Sequence, residues 1–193
     1  MADAPPQPAP SARDRILESA YELFSHRGIR AVGIDEIRDR ADVAKATLYR
    51  HFASKDELVL AFLDRRELLW TREWVEREAR TRASDPEGQL LAIFDAFDDW
   101  FRQDDFEGCS FINVMLEWAD RDHPIGKASA LHLANIRAFL TTLATEAGLR
   151  EPETFAHSWH ILMKGSIVAA AEGDVEAAQR AKAMGRALIK TYR

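Results

Sequence analysis

The chain has 193 residues, of which 47% are apolar, so it is long enough and apolar enough to bury a sizeable core. Its net charge is −6 at neutral pH, and its single cysteine excludes an intrachain disulfide and a multi-cysteine zinc site. The N-terminus lacks a secretory pattern, and no apolar run approaches the roughly 20 residues that a membrane span needs. We therefore expect a cytoplasmic protein with no membrane partner.

The charge is unevenly distributed along the chain. Residues 11–60 contain nine basic and nine acidic side chains, whereas residues 61–193 contain 17 basic and 22 acidic ones. DNA phosphates are contacted by lysine and arginine, so an acidic body repels DNA and only a locally basic surface can dock on it. The overall acidity neither supports nor excludes a DNA partner.

The N-terminal residues predict a disordered tail followed by three helices. Residues 1–12 hold four prolines and few hydrophobic side chains, so they favour neither a core nor a helix interior. From Arg13 onward, apolar residues recur on one helical face and stop at Gly28, a typical C-terminal residue of a helix. Two short helices, over about residues 34–40 and 44–51, are predicted on either side of a tight turn.

A capping box at residues 54–57 predicts the start of a long fourth helix. The Ser54 hydroxyl and the Glu57 carboxylate can each accept a hydrogen bond from a free backbone amide. This helix is expected to continue to about Ala79. The remaining chain is divided by helix-breaking steps at Asp85-Pro86, Gly108, His123-Pro124, Glu151-Pro152 and Gly173-Asp174. The pattern predicts nine helices and no strands, an all-α fold.

The densest motif of the chain is Val43–Leu58, which reads VAKATLYRHFASKDEL and follows a helix ending in FSHRG. With this motif, residues 13–63 resemble the N-terminal module of the TetR (tetracycline repressor) family. The resemblance implies a three-helix helix-turn-helix DNA-binding module (13–58), a connecting helix (59–79) and a C-terminal effector-binding and dimerisation domain (80–193). It further implies a homodimeric repressor that leaves a palindromic operator when a small-molecule effector shifts the fourth helix.

The third helix carries the predicted DNA contacts. Its small N-terminal residues, Ala44 and Ala46, let the backbone approach the floor of the major groove, and Leu48 and Phe52 point inward. By resemblance to the family, base edges lie under Lys45, Ala46 and Arg50, and phosphates are contacted by Thr47, Tyr49, His51 and Lys55. The alternative is that Tyr49 and His51 only pack the module.

The sequence departs from the family pattern at two positions. Gly33 stands at the N-cap of the second helix, where threonine is more usual, and Asp42 stands in the turn, where glycine is more usual. Glycine caps almost as well as threonine, and aspartate tolerates the left-handed conformation better than most residues do. The motif is therefore expected to fold despite both departures.

The last two predicted helices are rich in small residues, which allow close helix packing. We expect them to pair with their copies in a second chain as a four-helix bundle, which suits a reader of palindromic DNA. The predicted interface residues are Trp159, Leu162, Met163, Ser166, Ala170, Ala178, Ala181, Gly185, Leu188 and Ile189. Packing within one chain is the alternative.

The helix after Gly108 is apolar nearly all round, which indicates burial on several sides. Its polar exceptions, Ser110, Asn113 and Glu117, fall on one face, and a buried polar stripe needs partners. We expect this face to line an effector pocket with Trp70, Trp74, Phe94, Phe97, Phe101 and Phe139. An internal hydrogen-bond network is the alternative.

The sequence offers weaker patterns for other functions. Glu153, His157 and His160 share one helical face and could ligate zinc, although such patterns are more often structural. Cys109 could sense redox state, which would need an exposed thiol of lowered pKa. The sequence carries no nucleophile elbow, phosphate loop or metalloprotease motif, so we expect no enzyme and no cofactor. A protein-binding helical adaptor leaves the basic third helix unexplained.

Overall fold

The computed structural model describes residues 9–118, 120 and 122–193. Over these residues the chain forms nine helices and no strand, as the sequence predicts. The helices are α1 (Ala12–Arg27), α2 (Ile34–Arg40), α3 (Lys45–His51), α4, α5 (Pro86–Phe101), α6 (Ser110–Glu117), α7 (Pro124–Glu146), α8 (Pro152–Ala171) and α9 (Ala177–Tyr192). The fourth helix, α4, has three consecutive parts: α-helical Lys55–Arg66, π-helical Glu67–Glu76 and α-helical Arg77–Arg82.

Two compact units divide at the step from Phe62 to Leu63, inside α4. The first unit is the three-helix module with the start of α4, and the second contains the rest of the chain. Helix α1 begins at Ala12, within the tail predicted over residues 1–12, because Ser11 and Asp14 form a capping box. Residues 1–8 of that predicted tail lie outside the described residues.

The first unit is held together by an apolar core. Ile16 and Ala20 of α1, Ile37 of α2 and Leu48 of α3 are all buried, and the Phe62 ring lies edge-on to that of Phe24 at 5.5 Å between centroids. Burial of these side chains stabilises the module because apolar surface leaves water. The core fixes α3 with one face inward and the other toward solvent.

Both departures from the family pattern have the expected geometry. Asp42, in the turn between α2 and α3, has a φ of 50°, the left-handed conformation that aspartate tolerates. Gly33 is the N-cap of α2 with a φ of −82°, and having no side chain it makes no capping hydrogen bond. Nothing lies within 4 Å of a Cβ built at Gly33, so a serine or threonine would fit there without displacing a neighbour.

The start of α4 is capped by Ser54 and Glu57, as the sequence predicts, although the Glu57 carboxylate reaches the amide of Ala53 rather than that of Ser54. The Glu57 amide donates to Ser54 Oγ at 3.1 Å, and the Glu57 carboxylate accepts from the amide of Ala53 at 2.7 Å. Further along, Glu67–Glu76 adopts i→i+5 geometry. Such π-helical turns are rare and frequently lie at functional sites.

The second unit has a core of aromatic side chains. Phe94 of α5 contacts Trp159 of α8 at 5.2 Å between ring centroids, and Gly185 of α9 lies against the edge of the Trp159 ring. Gly185 therefore lets α9 approach α8 more closely than any side chain would. Within the described part of the chain, no helix is both long enough and apolar enough to cross a membrane.

Candidate functional site

Helix α3 is amphipathic in the structure. Leu48 is buried, whereas Lys45, Ala46 and Arg50 are exposed and Tyr49 is 42% exposed. Part of the Tyr49 ring is therefore open to solvent, and its contact with a phosphate stays a prediction. His51 and Thr47 are half-buried, at the edge of the exposed face. The preceding residue, Ala44, is extended and begins the helix without a side-chain cap.

Ion pairs explain how a module of zero net charge presents a basic face. Acidic side chains of α1 and α2 are paired with arginines of the same two helices: Arg27 with Glu36, Arg38 with Asp35 and Arg40 with Glu22. Among the described residues, Lys45 and Arg50 make no ion pair and no side-chain hydrogen bond. Their positive charges remain available to an anionic partner such as a phosphate.

Lys55 has acceptors inside the module. Its ammonium group donates to the backbone carbonyls of Ile29 and Val32, each at 2.6 Å, and lies 5.8 Å from the centroid of the Phe24 ring. Lys55 thus fixes the loop between α1 and α2 relative to the start of α4. The family resemblance implies that Lys55 also contacts a phosphate, and this stays a prediction. To make that contact, the ammonium group would have to donate to DNA as well as to the two carbonyls.

Five of the six aromatic residues predicted to line an effector pocket, all but Phe139, belong to one cluster of ring contacts. The rings of Trp70, Trp74, Phe97 and Phe101 belong to one cluster with Trp100, and Phe97 lies 5.6 Å from both Trp100 and Phe101. Phe94 joins this cluster through Phe97 at 6.3 Å. Aromatic residues at helical spacing form core as readily as they line a cavity, and here they form core.

The polar stripe of α6 is not buried as a whole. Ser110 is buried and Glu117 is half-buried, but Asn113 is exposed, so the expected burial of Asn113 is wrong. Met115 and Leu116 are exposed on the same helix, with Leu116 73% exposed. The apolar composition of α6 therefore does not reflect burial on several sides within one chain.

A buried polar cluster joins α4 to α7, and sequence reasoning missed it. The Glu67 carboxylate pairs with Nδ1 of His132 and accepts from the Asn135 side chain at 2.7 Å. Phe111 of α6 stacks on the His132 ring at 5.2 Å between centroids, and Asp64 lies 3.5 Å from the other ring nitrogen. Burial raises the pKa of Glu67, but hydrogen bonds from His132 and Asn135 outweigh it and leave the pKa below the ordinary value.

Beside this cluster lies a cleft of about 310 Å³, the cleft of α4 and α7. Its lining is mostly polar and charged: Glu67, Arg72, Glu76, Arg80, Asn135, Ala138, Phe139 and Thr142. Of the predicted pocket residues, only Phe139 belongs to it. The guanidinium of Arg80 lies 5.7 Å from the Phe139 ring centroid, a cation–π distance.

Most residues predicted for the dimer interface pack within the chain. Seven of the ten are buried in a single copy: Trp159, Met163, Ser166, Ala178, Ala181, Gly185 and Ile189. The other three, Leu162, Ala170 and Leu188, are half-buried. The small residues of α8 and α9 therefore allow these two helices to pack on each other within one chain, and their part in a dimer interface stays a prediction.

The outer face of the same two helices carries a second cavity, an apolar groove of about 330 Å³. It is lined by Ile161, Leu162, Gly165, Ser166, Ala169, Asp174, Ala177, Arg180, Ala181 and Met184. Ile161 is 65% exposed and Met184 57%. An apolar patch of this kind on a protein surface is typical of an interaction site.

The rival metal and redox readings gain no support. His160 is buried while Glu153 and His157 are exposed, and no three His, Cys, Asp or Glu side chains of residues 9–118, 120 and 122–193 are grouped as metal ligands. Burial lowers the pKa of His160 to about 3. Cys109 is buried, and burial raises the pKa of its thiol, the opposite of a reactive cysteine.

Comparisons with known proteins agree with the geometry of the module. The family model "Bacterial regulatory proteins, tetR family" matches residues 16–62. The transcriptional activator FasR of Mycolicibacterium smegmatis is 40% identical over 99 residues, which is 50% of this chain and 43% of FasR. The transcriptional repressor KstR2 of the same organism is 42% identical over 57 residues, 30% of this chain and 27% of KstR2. The chain thus spans less than half the length of either relative.

One solved structure is similar along almost the whole chain. SCO4454, a TetR-family transcriptional regulator from Streptomyces coelicolor, superposes with a TM-score of 0.85 at 31% identity and covers 94% of this chain and 95% of its own. The similarity therefore includes both units rather than the module alone. From the exposed basic face of α3, the matched module and this full-length similarity, we conclude that the chain belongs to the TetR family of transcriptional regulators.

Proposed function

We propose that this regulator binds a palindromic operator as a homodimer through α3 of each copy and leaves it when a small molecule binds the second unit. The observation that carries the DNA-binding part is the exposed face of α3, where Lys45 and Arg50 have no ion-pair partner among the described residues. A protein-binding adaptor would not need two unpaired cations on a helix of this size.

The exposed residues of α3 divide by the contacts they offer. Lys45 and Arg50 carry the donors suited to guanine edges in the major groove, and Ala46 leaves room for the backbone to approach. Thr47, Tyr49 and His51 carry hydroxyl or ring N–H groups suited to phosphate oxygens. Phosphate contacts position the helix, while base contacts select the operator.

Replacing Lys45 and Tyr49 together by alanine is expected to weaken operator binding roughly 100-fold, since each lost contact costs about 1–3 kcal/mol. The operator is first selected from random DNA by the purified full-length protein at 150 mM salt, and affinity is then measured by fluorescence anisotropy. The salt dependence of the affinity should also become shallower. Lys190→Ala, which removes an exposed charge from α9, is the matched control and should leave affinity unchanged.

A folded dimer that enriches no DNA sequence would contradict the DNA-binding proposal and favour the protein-binding adaptor.

Whether the regulator represses or activates transcription is a separate part of the proposed function. We propose repression, and transcription in vitro from a promoter that carries the selected site decides the matter. The named relatives include both a repressor and an activator.

For the dimer, we propose that a second copy occupies the apolar groove of α8 and α9. Ile161 and Met184 present exposed apolar surface there. Gly165 and Ala169 also line the groove, and because they are small, a facing helix can approach the backbone closely at these positions. Small residues at a helix surface permit the close approach that a four-helix bundle needs. A two-fold axis through the groove would also supply the symmetry that palindromic DNA requires.

Ile161→Asp is expected to weaken the dimer at least 100-fold, because each of the two copies must then bury a carboxylate without a partner at a cost of about 3 kcal/mol. Sedimentation equilibrium measures the dissociation constant. Leu131→Asp places the same charge on an exposed leucine of α7 outside the groove and should leave it unchanged. Equal dissociation constants for the two variants would refute the groove as the interface.

A further inference from the structure

The cleft of α4 and α7 lies entirely within the second unit. Four charged residues from α4 line it, Glu67, Arg72, Glu76 and Arg80, and they face Asn135, Phe139 and Thr142 of α7. Two carboxylates and two guanidinium groups give the lining no net charge.

Glu67 and Arg72 are engaged. The Glu67 carboxylate is held by His132 and by Asn135, and Arg72 approaches it at 3.4 Å. These contacts fix the inner wall of the cleft. A ligand that competed for Glu67 would have to displace buried hydrogen bonds, which is costly.

Glu76 and Arg80 are not engaged with each other, although they stand four residues apart on one helix. A Glu–Arg pair at this spacing on a helix is close enough to form an ion pair. In the described structure, neither side chain makes a hydrogen bond or an ion pair, and Arg80 lies over the Phe139 ring instead. Glu76 is half-buried and has no direct donor among the described residues; burial raises the pKa of its carboxyl, partly offset by the charges of Arg72 and Arg80.

We propose that the cleft binds a small zwitterion whose ammonium group meets Glu76 and whose carboxylate meets Arg80. A cation alone would leave Arg80 unmatched, and an anion alone would leave Glu76 unmatched. A zwitterion satisfies both and adds no net charge to the cleft. The Thr142 hydroxyl on the facing helix donates to the Ala138 carbonyl and can accept a further hydrogen bond, and the Arg80 guanidinium lies 5.7 Å from the Phe139 ring centroid.

The test measures binding to the full-length protein without DNA, by isothermal titration calorimetry. Glycine, 3-aminopropanoate and 4-aminobutanoate provide zwitterions of increasing charge separation, with butylamine and butanoate as single-charge analogues. We expect at least one zwitterion to bind at least tenfold more tightly than either analogue. Absence of zwitterion binding, or equal binding of the analogues, would overturn the proposal.

Two variants locate the binding. Glu76→Gln and Arg80→Gln should each weaken zwitterion binding at least tenfold, since each removes one of the two matched charges. Arg77→Gln, an exposed position on the same helix that does not line the cleft, is the matched control and should bind as the unaltered protein does. Unchanged binding in both cleft variants would also overturn the proposal.

The role of the zwitterion as effector rests on the proposed function, and its test is separate. The bound zwitterion is expected to lower the affinity for the selected operator at least tenfold in the unaltered protein and not in Glu76→Gln. A chain that binds the zwitterion but selects no operator would refute the DNA-binding proposal while leaving the cleft site intact. A chain that selects an operator but binds no zwitterion would refute the cleft site alone.

Discussion

Replacing Trp159 by alanine is expected to lower the free energy of unfolding by about 4 kcal/mol. The side chain is completely buried, and its ring stacks on Phe155 at 5.3 Å and contacts Phe94 at 5.2 Å. Alanine would leave a cavity between α5, α8 and α9 that these rigid rings could fill only in part. Urea unfolding, followed by circular dichroism, measures the change.

Alanine substitutions at two glycines of α8 and α9 should change the free energy of unfolding in opposite directions. A Cβ at Gly185 would lie 2.7 Å from Cη2 of Trp159, so Gly185→Ala forces the ring to move and should cost about 1–3 kcal/mol. Within one chain, Gly165 has nothing within 4 Å of its Cβ position, so at concentrations below the dimer dissociation constant Gly165→Ala should stabilise the fold by about 0.5–1 kcal/mol through helix propensity.

Protein concentration separates this intrachain role from a role in the dimer. Stability that comes from subunit contacts varies with concentration by mass action, whereas a cavity inside one chain costs the same at every concentration. The loss in Trp159→Ala should therefore be equal at two concentrations a hundredfold apart. A loss of unfolding free energy seen only at the higher concentration would indicate that Trp159 lies in the subunit interface.

The second large effect is expected at Glu67. Glu67→Ala should lower the free energy of unfolding by about 3 kcal/mol, because it removes one member of a buried pair and leaves His132 and Asn135 without their acceptor. Glu73→Ala, an exposed position on the same π-helical part of α4, is the matched control and should change stability little. Equal losses in both variants would indicate a helix effect instead.

The pH dependence of this contribution follows from the direction of the pKa shift. Glu67 titrates below its ordinary value of 4.5 in the folded protein, so the unfolded chain binds the proton first as pH falls. The stabilisation is fully present above about pH 4.5 and is lost as pH falls through the lower folded pKa. The stability difference between the unaltered protein and Glu67→Gln should therefore shrink below pH 4.5. A difference that stays constant down to acid unfolding contradicts the shift.

Local patterns and the family resemblance were sufficient to predict the module and the all-α fold. The bounds of α2 and α3 follow from short runs with strong stop signals, and the left-handed Asp42 follows from its place in a tight turn. The cap of α4 could also be predicted, because Ser54 and Glu57 are only three positions apart in the sequence. Such features depend only on residues within one or two helical turns.

The second unit was harder, because its features depend on which distant residues meet. Glu67 and His132 are 65 positions apart, and each has other polar residues near it on its own helix, so no local pattern distinguishes it. The small residues of α8 and α9 indicate close helix packing, but periodicity cannot distinguish a partner helix in the same chain from one in another. Composition likewise cannot distinguish aromatic rings that line a cavity from rings that fill one.

Burial of Cys109 makes the protein a suitable background for site-directed labelling. It is the only cysteine in the sequence, and its buried thiol with a raised pKa reacts slowly with maleimide or methanethiosulfonate reagents. A cysteine introduced at the exposed Ala53 would therefore take a nitroxide selectively. In a dimer, that single label yields one inter-spin distance by pulsed electron paramagnetic resonance, which reports directly how far apart the two modules stand with and without a ligand.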